Sequence, residues 1–158
     1  MEGGREASIK IVHFLKTDPK ARYQGYSFYF REGFCWIDVN STYLKARLKS
    51  SGVFDVLSMS LFTMTQIPDW YYVCIINSEL ISLYVDNFVN NTSHFQINDA
   101  RQLPIIIPSE LFLAKYKTLL NDAISVKLHY PAQSAESEIR LKHIQDAIDK
   151  LTMRLFEI

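Results

Sequence analysis

Residues 43–49 constrain the fold more than any other stretch. Tyr43-Leu44-Lys45-Ala46-Arg47-Leu48-Lys49 alternates strictly between apolar and charged. On an extended strand this places Lys45, Arg47 and Lys49 on one face and Leu44, Ala46 and Leu48 on the other. Such a strand needs a core on one side and water or a polyanion on the other. Neighbouring segments supply further strands. Phe34-Cys35-Trp36-Ile37-Asp38-Val39 is rich in aromatic and β-branched residues, as is Tyr26-Ser27-Phe28-Tyr29-Phe30. Arg31-Glu32-Gly33 forms a turn between them. Residues 9–16 read as another strand, ended by Asp18-Pro19-Lys20. Ser50-Ser51-Gly52 turns the chain into one or two short strands within residues 53–62.

The second half reads differently. Pro68-Asp69 resembles a helix entrance, with Asp69 as cap. Residues 70–89 are ambiguous: their composition suits a strand and their length a helix. Asn90-Asn91-Thr92-Ser93 is a polar break. Residues 102–107 form a short apolar strand closed by Pro104 and Pro108. Ser109 opens a helix with Phe112, Tyr116, Leu119, Leu120 and Ala123 on one face. Tyr130-Pro131-Ala132-Gln133-Ser134 is a linker. The final helix places Leu141, Ile144, Ile148, Leu151 and Leu155 at alternating spacings of three and four. This seam spans only two heptads, so it packs on a neighbour rather than forming a long coil. The expected fold is α+β: a β-rich N-terminal part with a mixed or antiparallel sheet, then helices ending in a long one. Residues 1–132 form the main unit, and 133–158 a helix packed on it or on a partner.

Composition sets the outer bounds. The chain has 158 residues, 48% of them hydrophobic, which suffices for one domain with a core. No run approaches the ~18 apolar residues of a membrane span. The charged start at Glu2, Arg5 and Glu6 does not resemble a secretion signal. Cys35 and Cys74 give no disulfide framework. The expectation is a reduced, cytoplasmic domain without membrane contact, in which the sequons at Asn40 and Asn91 carry no sugar.

Net charge is zero but unevenly spread. Residues 1–50 carry +4, residues 51–100 carry −5 with no lysine or arginine, and residues 101–158 carry +1. A protein that grips nucleic acid alone usually has a basic excess. Any such role here rests on the N-terminal third or on help from a partner.

A search for chemistry returns little. His13, His94, His129 and His143 stand apart from metal-ligand spacings, and no phosphate loop or nucleophile elbow occurs. Asp18 and Lys20 have the spacing of a metal-dependent nuclease, but the intervening Pro19 marks a turn. Two surface features remain. One is the basic strand face of Lys45, Arg47 and Lys49, near Arg31 and the Arg22-Tyr23 loop. The other is the polar run 90–101, with Thr92, Ser93, His94, Gln96 and Arg101 suited to phosphates or base edges. The bland alternatives are a solvated strand face and a loop whose Asn98 or Asp99 caps a helix.

Three groups of residues together form a recognisable pattern. The first is Ile76-Asn77-Ser78-Glu79-Leu80-Ile81-Ser82-Leu83-Tyr84. The second is Asn91-Thr92-Ser93-His94-Phe95-Gln96-Ile97-Asn98-Asp99-Ala100-Arg101-Gln102-Leu103-Pro104-Ile105-Ile106-Ile107-Pro108. The third is Ile148-Asp149-Lys150-Leu151-Thr152-Met153-Arg154-Leu155-Phe156. With Gly33-Phe34-Cys35-Trp36 and residues 53–62, they resemble the C-terminal target-recognition region of bacterial type II restriction–modification N6-adenine DNA methyltransferases, fused methylase–nucleases included. The resemblance covers roughly residues 20–158. It implies a helix over 70–89 broken near Asn77-Ser78. It implies double-stranded DNA as partner, with Lys45, Arg47 and Lys49 on phosphates and the 90–101 loop in a groove. It also implies a methyltransferase catalytic half, in cis or in trans, that binds S-adenosylmethionine and flips the adenine. The catalytic motif and cofactor loop of that half are absent from this sequence, so the expectation is a non-enzymatic recognition domain with no cofactor of its own. The competing expectation is a protein-interaction module whose Leu141–Leu155 seam docks a partner or a second copy without touching DNA. A nuclease built on Asp18 and Lys20 ranks third.

Overall fold

The computed structural model describes residues 2–20, 25–39, 44–54, 58–131 and 134–158, without the side chains of residues 2–5, 7 and 8. The fold is α+β, as expected. Strands β1 (Gly33–Ile37), β2 (Ala46–Lys49) and β3 (Ser58–Leu61) form an antiparallel sheet in the order β2-β1-β3. Gly33 pairs with Lys49 and Trp36 with Ala46 on one side of β1, while Phe34 pairs with Leu61 and Ile37 with Ser58 on the other. Glycine at 33 lets the sheet close: a Cβ there would lie 2.5 Å from the Leu61 carbonyl oxygen.

Helix α2 (Asp69–Ile76) is the centre of the molecule. It packs on β1 and β2 on one side and on α5 (Glu110–His129) and α6 (Ala135–Leu155) on the other. Tyr71, Val73, Cys74, Ile75 and Ile76 are all buried. A helix covered on two sides needs no polar stripe, and this explains why residues 70–76 lack helical periodicity. The helix entrance is where the sequence places it, but Pro68 occupies the cap position. Asp69 instead accepts a hydrogen bond from the Thr63 N–H at 3.1 Å. Burial pushes its carboxyl above the usual range, opposed by that hydrogen bond.

The break after α2 falls at Asn77-Ser78, and α3 (Glu79–Tyr84) follows. Ser78 caps α3: its hydroxyl accepts from Ile81 N–H and donates to the Ile75 carbonyl. A π-helical turn, Val85–Val89, extends α3 to the polar break, and α4 (Ile97–Ala100) is one turn long. In α6, Ile148 and Leu151 are buried and Leu141, Ile144 and Leu155 half-buried, with α5 packed alongside. The apolar seam is thus taken up within the chain. Between these two helices the buried Tyr116 hydroxyl meets Thr152 Oγ1 at 3.0 Å.

Four local expectations are overturned. Residues 9–15 belong to a helix, α1 (Glu2–Leu15), not a strand, and Lys16 to the turn that follows. Their β-branched content suits a sheet, but the helix satisfies their backbone groups locally without a partner strand. Residues 26–28 form a single 3-10 turn, because Gly25 at φ 73° and Phe30 at φ 65° bend the chain too sharply for a strand. Gln102 lies in a turn and residues 103–107 form no strand: Pro104 has no N–H, and the Tyr71 hydroxyl donates to the Ile106 carbonyl at 2.7 Å. Within the alternating segment Leu44 and Ala46 are buried, but Leu48, at the outer end of an edge strand, is 46% exposed.

Candidate nucleic-acid interface

The sheet register sorts the candidate residues into two groups. Ala46 pairs with Trp36, so Lys45 lies beside the end of β1 that leads into Asp38 and Val39. Lys45 and Arg47 are exposed. Val39 forms an isolated bridge with His94, which brings the 90–101 loop to this same end. Lys49 pairs with Gly33 at the opposite end, next to Arg31. Arg22 and Tyr23 lie outside the described residues.

Phe95 anchors the loop. It is 4% exposed, and its ring meets Trp36 at 5.8 Å, edge to face. The Trp36 indole N–H donates to the Phe95 carbonyl at 2.9 Å, and Phe95 N–H donates to the Asp38 carbonyl at 2.9 Å. His94 Nδ1 sits 2.8 Å from Asp38 Oδ2. A carboxylate only accepts, so Nδ1 carries the proton and Nε2 is the ring's remaining contact atom. The ring itself is exposed.

Asn90 organises the rest of the loop. Its amide donates to the His94 carbonyl at 2.8 Å and to Asp99 Oδ2 at 3.0 Å. Its carbonyl oxygen accepts from Thr92 N–H at 2.9 Å and from the Thr92 hydroxyl at 2.7 Å. Asp99 Oδ2 also accepts from Gln96 N–H at 2.8 Å, closing the start of α4. Arg101 donates to Asn98 Oδ1 at 3.1 Å. Asn90, Thr92, Asn98 and Asp99 therefore build the loop, and the capping role expected of Asp99 is present. Ser93, His94, Gln96 and Arg101 are the exposed members of the original set whose side chains are not spent on the Asn90 hub. The hub and the Phe95 anchor had no signal in the sequence beyond a lone aromatic residue within a polar run.

The other end of the sheet is an aromatic cluster. Phe28 and Phe62 stack at 5.2 Å, and Tyr29 meets Phe54 edge to face at 5.0 Å. The Arg31 guanidinium lies over Phe28 at 5.0 Å. Lys49 Nζ lies 4.7 Å from the Phe54 ring centre and 5.1 Å from that of Phe62. This ammonium is buried and donates no hydrogen bond to a partner among the described residues. Burial lowers its pKa, opposed by Cys35 nearby. This is a correction to the basic face: Lys45 and Arg47 present their charges outward, while Lys49 turns its charge onto two phenyl rings.

Two further sites drawn from the sequence resolve plainly. Asp18 Oδ1 accepts from the Lys20 backbone N–H at 2.9 Å, so this pair forms a turn. His129 of α5 and His143 of α6, too far apart for one helical face, line a shallow groove with Asp122, Tyr130 and Arg140. No group of three or more His, Cys, Asp or Glu side chains suited to a metal occurs among the described residues. Among those residues no helix is long and apolar enough to cross a membrane. No protein-family model matches the chain, and no curated protein is significantly similar to it in sequence.

Proposed function

We propose that this chain is the DNA sequence-recognition domain of a restriction–modification adenine methyltransferase, positioning duplex DNA for a catalytic half that lies outside it. One observation carries the reading. Exposed Lys45, which leads into edge strand β2, and exposed Arg47 on that strand lie toward the end of the sheet reached by a loop whose backbone is fixed by Asn90, Phe95 and Asp99. Cations on a regular strand suit phosphates, and a rigid loop tip suits a groove. On this reading His94, Gln96, Ser93 and Arg101 face the DNA, and Thr92 acts by shaping the loop.

On this proposal S-adenosylmethionine is bound elsewhere than by the described residues. Their sheet is wholly antiparallel, without the strand–glycine loop–helix unit that cradles such a cofactor. The cofactor and the methyl transfer belong, on this proposal, to the catalytic half, and this chain carries no catalytic step. The neutral net charge agrees with such a division, because the catalytic half supplies the rest of the phosphate grip.

The test is a selection from a randomised duplex library at low salt, with the chain alone and with a methyltransferase catalytic half added. A short enriched motif in either arm supports sequence recognition. Absence of any motif in both arms removes the proposal.

A further inference from the structure

Among the described residues helix α1 packs extensively along no other helix or strand, although Lys16 just past its end lies 4.0 Å from the centre of the Tyr26 ring. It leaves Ile9, Ile11 and Phe14 52%, 59% and 69% exposed. Helices of about 12–15 residues are marginal in water unless an apolar face is covered. This one carries Gly3, Gly4 and three β-branched residues at 9, 11 and 12, all weak helix formers. Beyond Glu6 its exposed side turns basic: Lys10 and His13, with Ile9 and Phe14, border a shallow hollow.

A complementary surface exists on the same chain. Glu79, Leu83 and Asp86 follow at spacings of four and three and are all exposed. Phe88, on the π-helical turn, is 76% exposed and rests on Tyr84 at 5.5 Å. Residues 51–100 contain no lysine or arginine, so no basic side chain from that stretch offsets these acids.

We infer that this chain dimerises by reciprocal exchange, the basic apolar face of α1 docking on the acidic Glu79–Phe88 face of a second copy. Phe88 enters the hollow beside Ile9 and Phe14, and Lys10 and Lys16 meet Glu79 and Asp86. In the proposed dimer each copy lends one surface and receives the other, which requires the copies to stand about a two-fold axis; a single contact per pair would instead add copies head to tail. The inference stands apart from the DNA reading and uses none of its residues.

The test is sedimentation equilibrium of the full chain. A dimer is expected, and Phe14→Ser or Phe88→Ser should each weaken it by about tenfold or more, as for an apolar anchor at an interface. Both side chains are exposed, so circular dichroism should show the fold retained. The decisive arm uses charge reversal. Lys10→Glu with Lys16→Glu, and Glu79→Lys with Asp86→Lys, should each be monomeric alone and form a heterodimer when mixed. A wild-type monomer at every concentration, a dimer indifferent to both phenylalanines, or a mixture that stays monomeric would each overturn the inference.

Discussion

The side chain of Asn77 pairs with the backbone of Ala46 as a neighbouring strand would. Its Oδ1 accepts from Ala46 N–H at 2.6 Å and its Nδ2 donates to the Ala46 carbonyl at 2.9 Å. Ala46 lies on the edge strand β2, where these groups have no further strand to meet. The Asn77 carbonyl in turn accepts from Gln145 Nε2 at 3.1 Å, and Asp149 accepts from Glu79 N–H at 2.8 Å. One residue at a helix break thus joins the sheet edge to the last helix.

Asn77→Ala removes both bonds to Ala46 and leaves its edge groups partly shielded. The expected loss is about 1.5–3 kcal/mol, from two hydrogen bonds at a half-buried site. Urea denaturation of the variant measures it. Asn77→Asp should lose nearly as much, because a carboxylate cannot donate to the Ala46 carbonyl. A variant as stable as wild type would show that water replaces Asn77 at the edge.

Tyr116 and Thr152 make an asymmetric pair. Thr152 Oγ1 donates to the Ile148 carbonyl at 2.8 Å, so it accepts from the Tyr116 hydroxyl. Thr152→Val strands that buried hydroxyl and should cost about 1–3 kcal/mol. Tyr116→Phe leaves Thr152 bonded to Ile148 and should cost well under half as much. Paired thermal melts of the two variants test the direction of donation.

Lys49 gives a pH signature. Its folded-state pKa lies below the ordinary 10.5, so the unfolded chain binds more protons between the two values. Stability from this residue therefore rises with pH through that window, and a constant penalty applies below it. Lys49→Met should stabilise the protein near neutral pH, and its advantage should shrink as pH rises toward 10.5. Denaturant midpoints at pH 7 and pH 10.5 give the comparison. An advantage independent of pH would assign the gain to packing alone.

The same residue supplies a control for the DNA binding proposed above. Lys45→Ala and Arg47→Ala should each lower the salt slope by about 0.9 if they meet phosphates. Lys49→Met should leave the slope unchanged, because its ammonium is already held by Phe54 and Phe62. Fluorescence anisotropy across a salt series separates the three. Equal effects from all three would mean that Lys49 swings outward on DNA.

Asp99 should hold the loop without holding the fold. Asp99→Ala removes the acceptor shared by Gln96 N–H and Asn90 Nδ2. Loss of such a cap costs about 1 kcal/mol. Amide exchange should quicken through residues 90–101 while β1 and α2 keep their protection.

What the sequence disclosed follows where each segment sits. Helices α5 and α6 are amphipathic because each packs on one side, and Leu141 to Leu155 announce that side directly. The strand at Phe34 and the edge cations at Lys45 and Arg47 are legible for the same reason. Helix α2 carries no period because it is buried from two directions, so only the Asn77-Ser78 break pointed to its end. Helix α1 read as a strand because Ile9, Ile11 and Val12 favour sheets, and no local rule reports that a partner strand is missing. The candidate site was half legible. Side-chain chemistry marked Lys45, Arg47 and the polar loop. The burial of Lys49's charge and the Asn90 hub depend on contacts made far along the chain or by geometry within the loop.

The position of α2 bears on how the chain assembles. Neither the sheet nor the α5–α6 pair has a wall to close against until α2 is present, and α2 has no stripe that would make it stable alone. A chain cut after residue 108 would leave Tyr71, Cys74 and Ile75 open on the side that α5 covers. Such a piece should collapse or clump rather than wait in native form. Sheet and helical pair are thus made to form in one concerted event, only once α5 and α6 are present to fold back on α2.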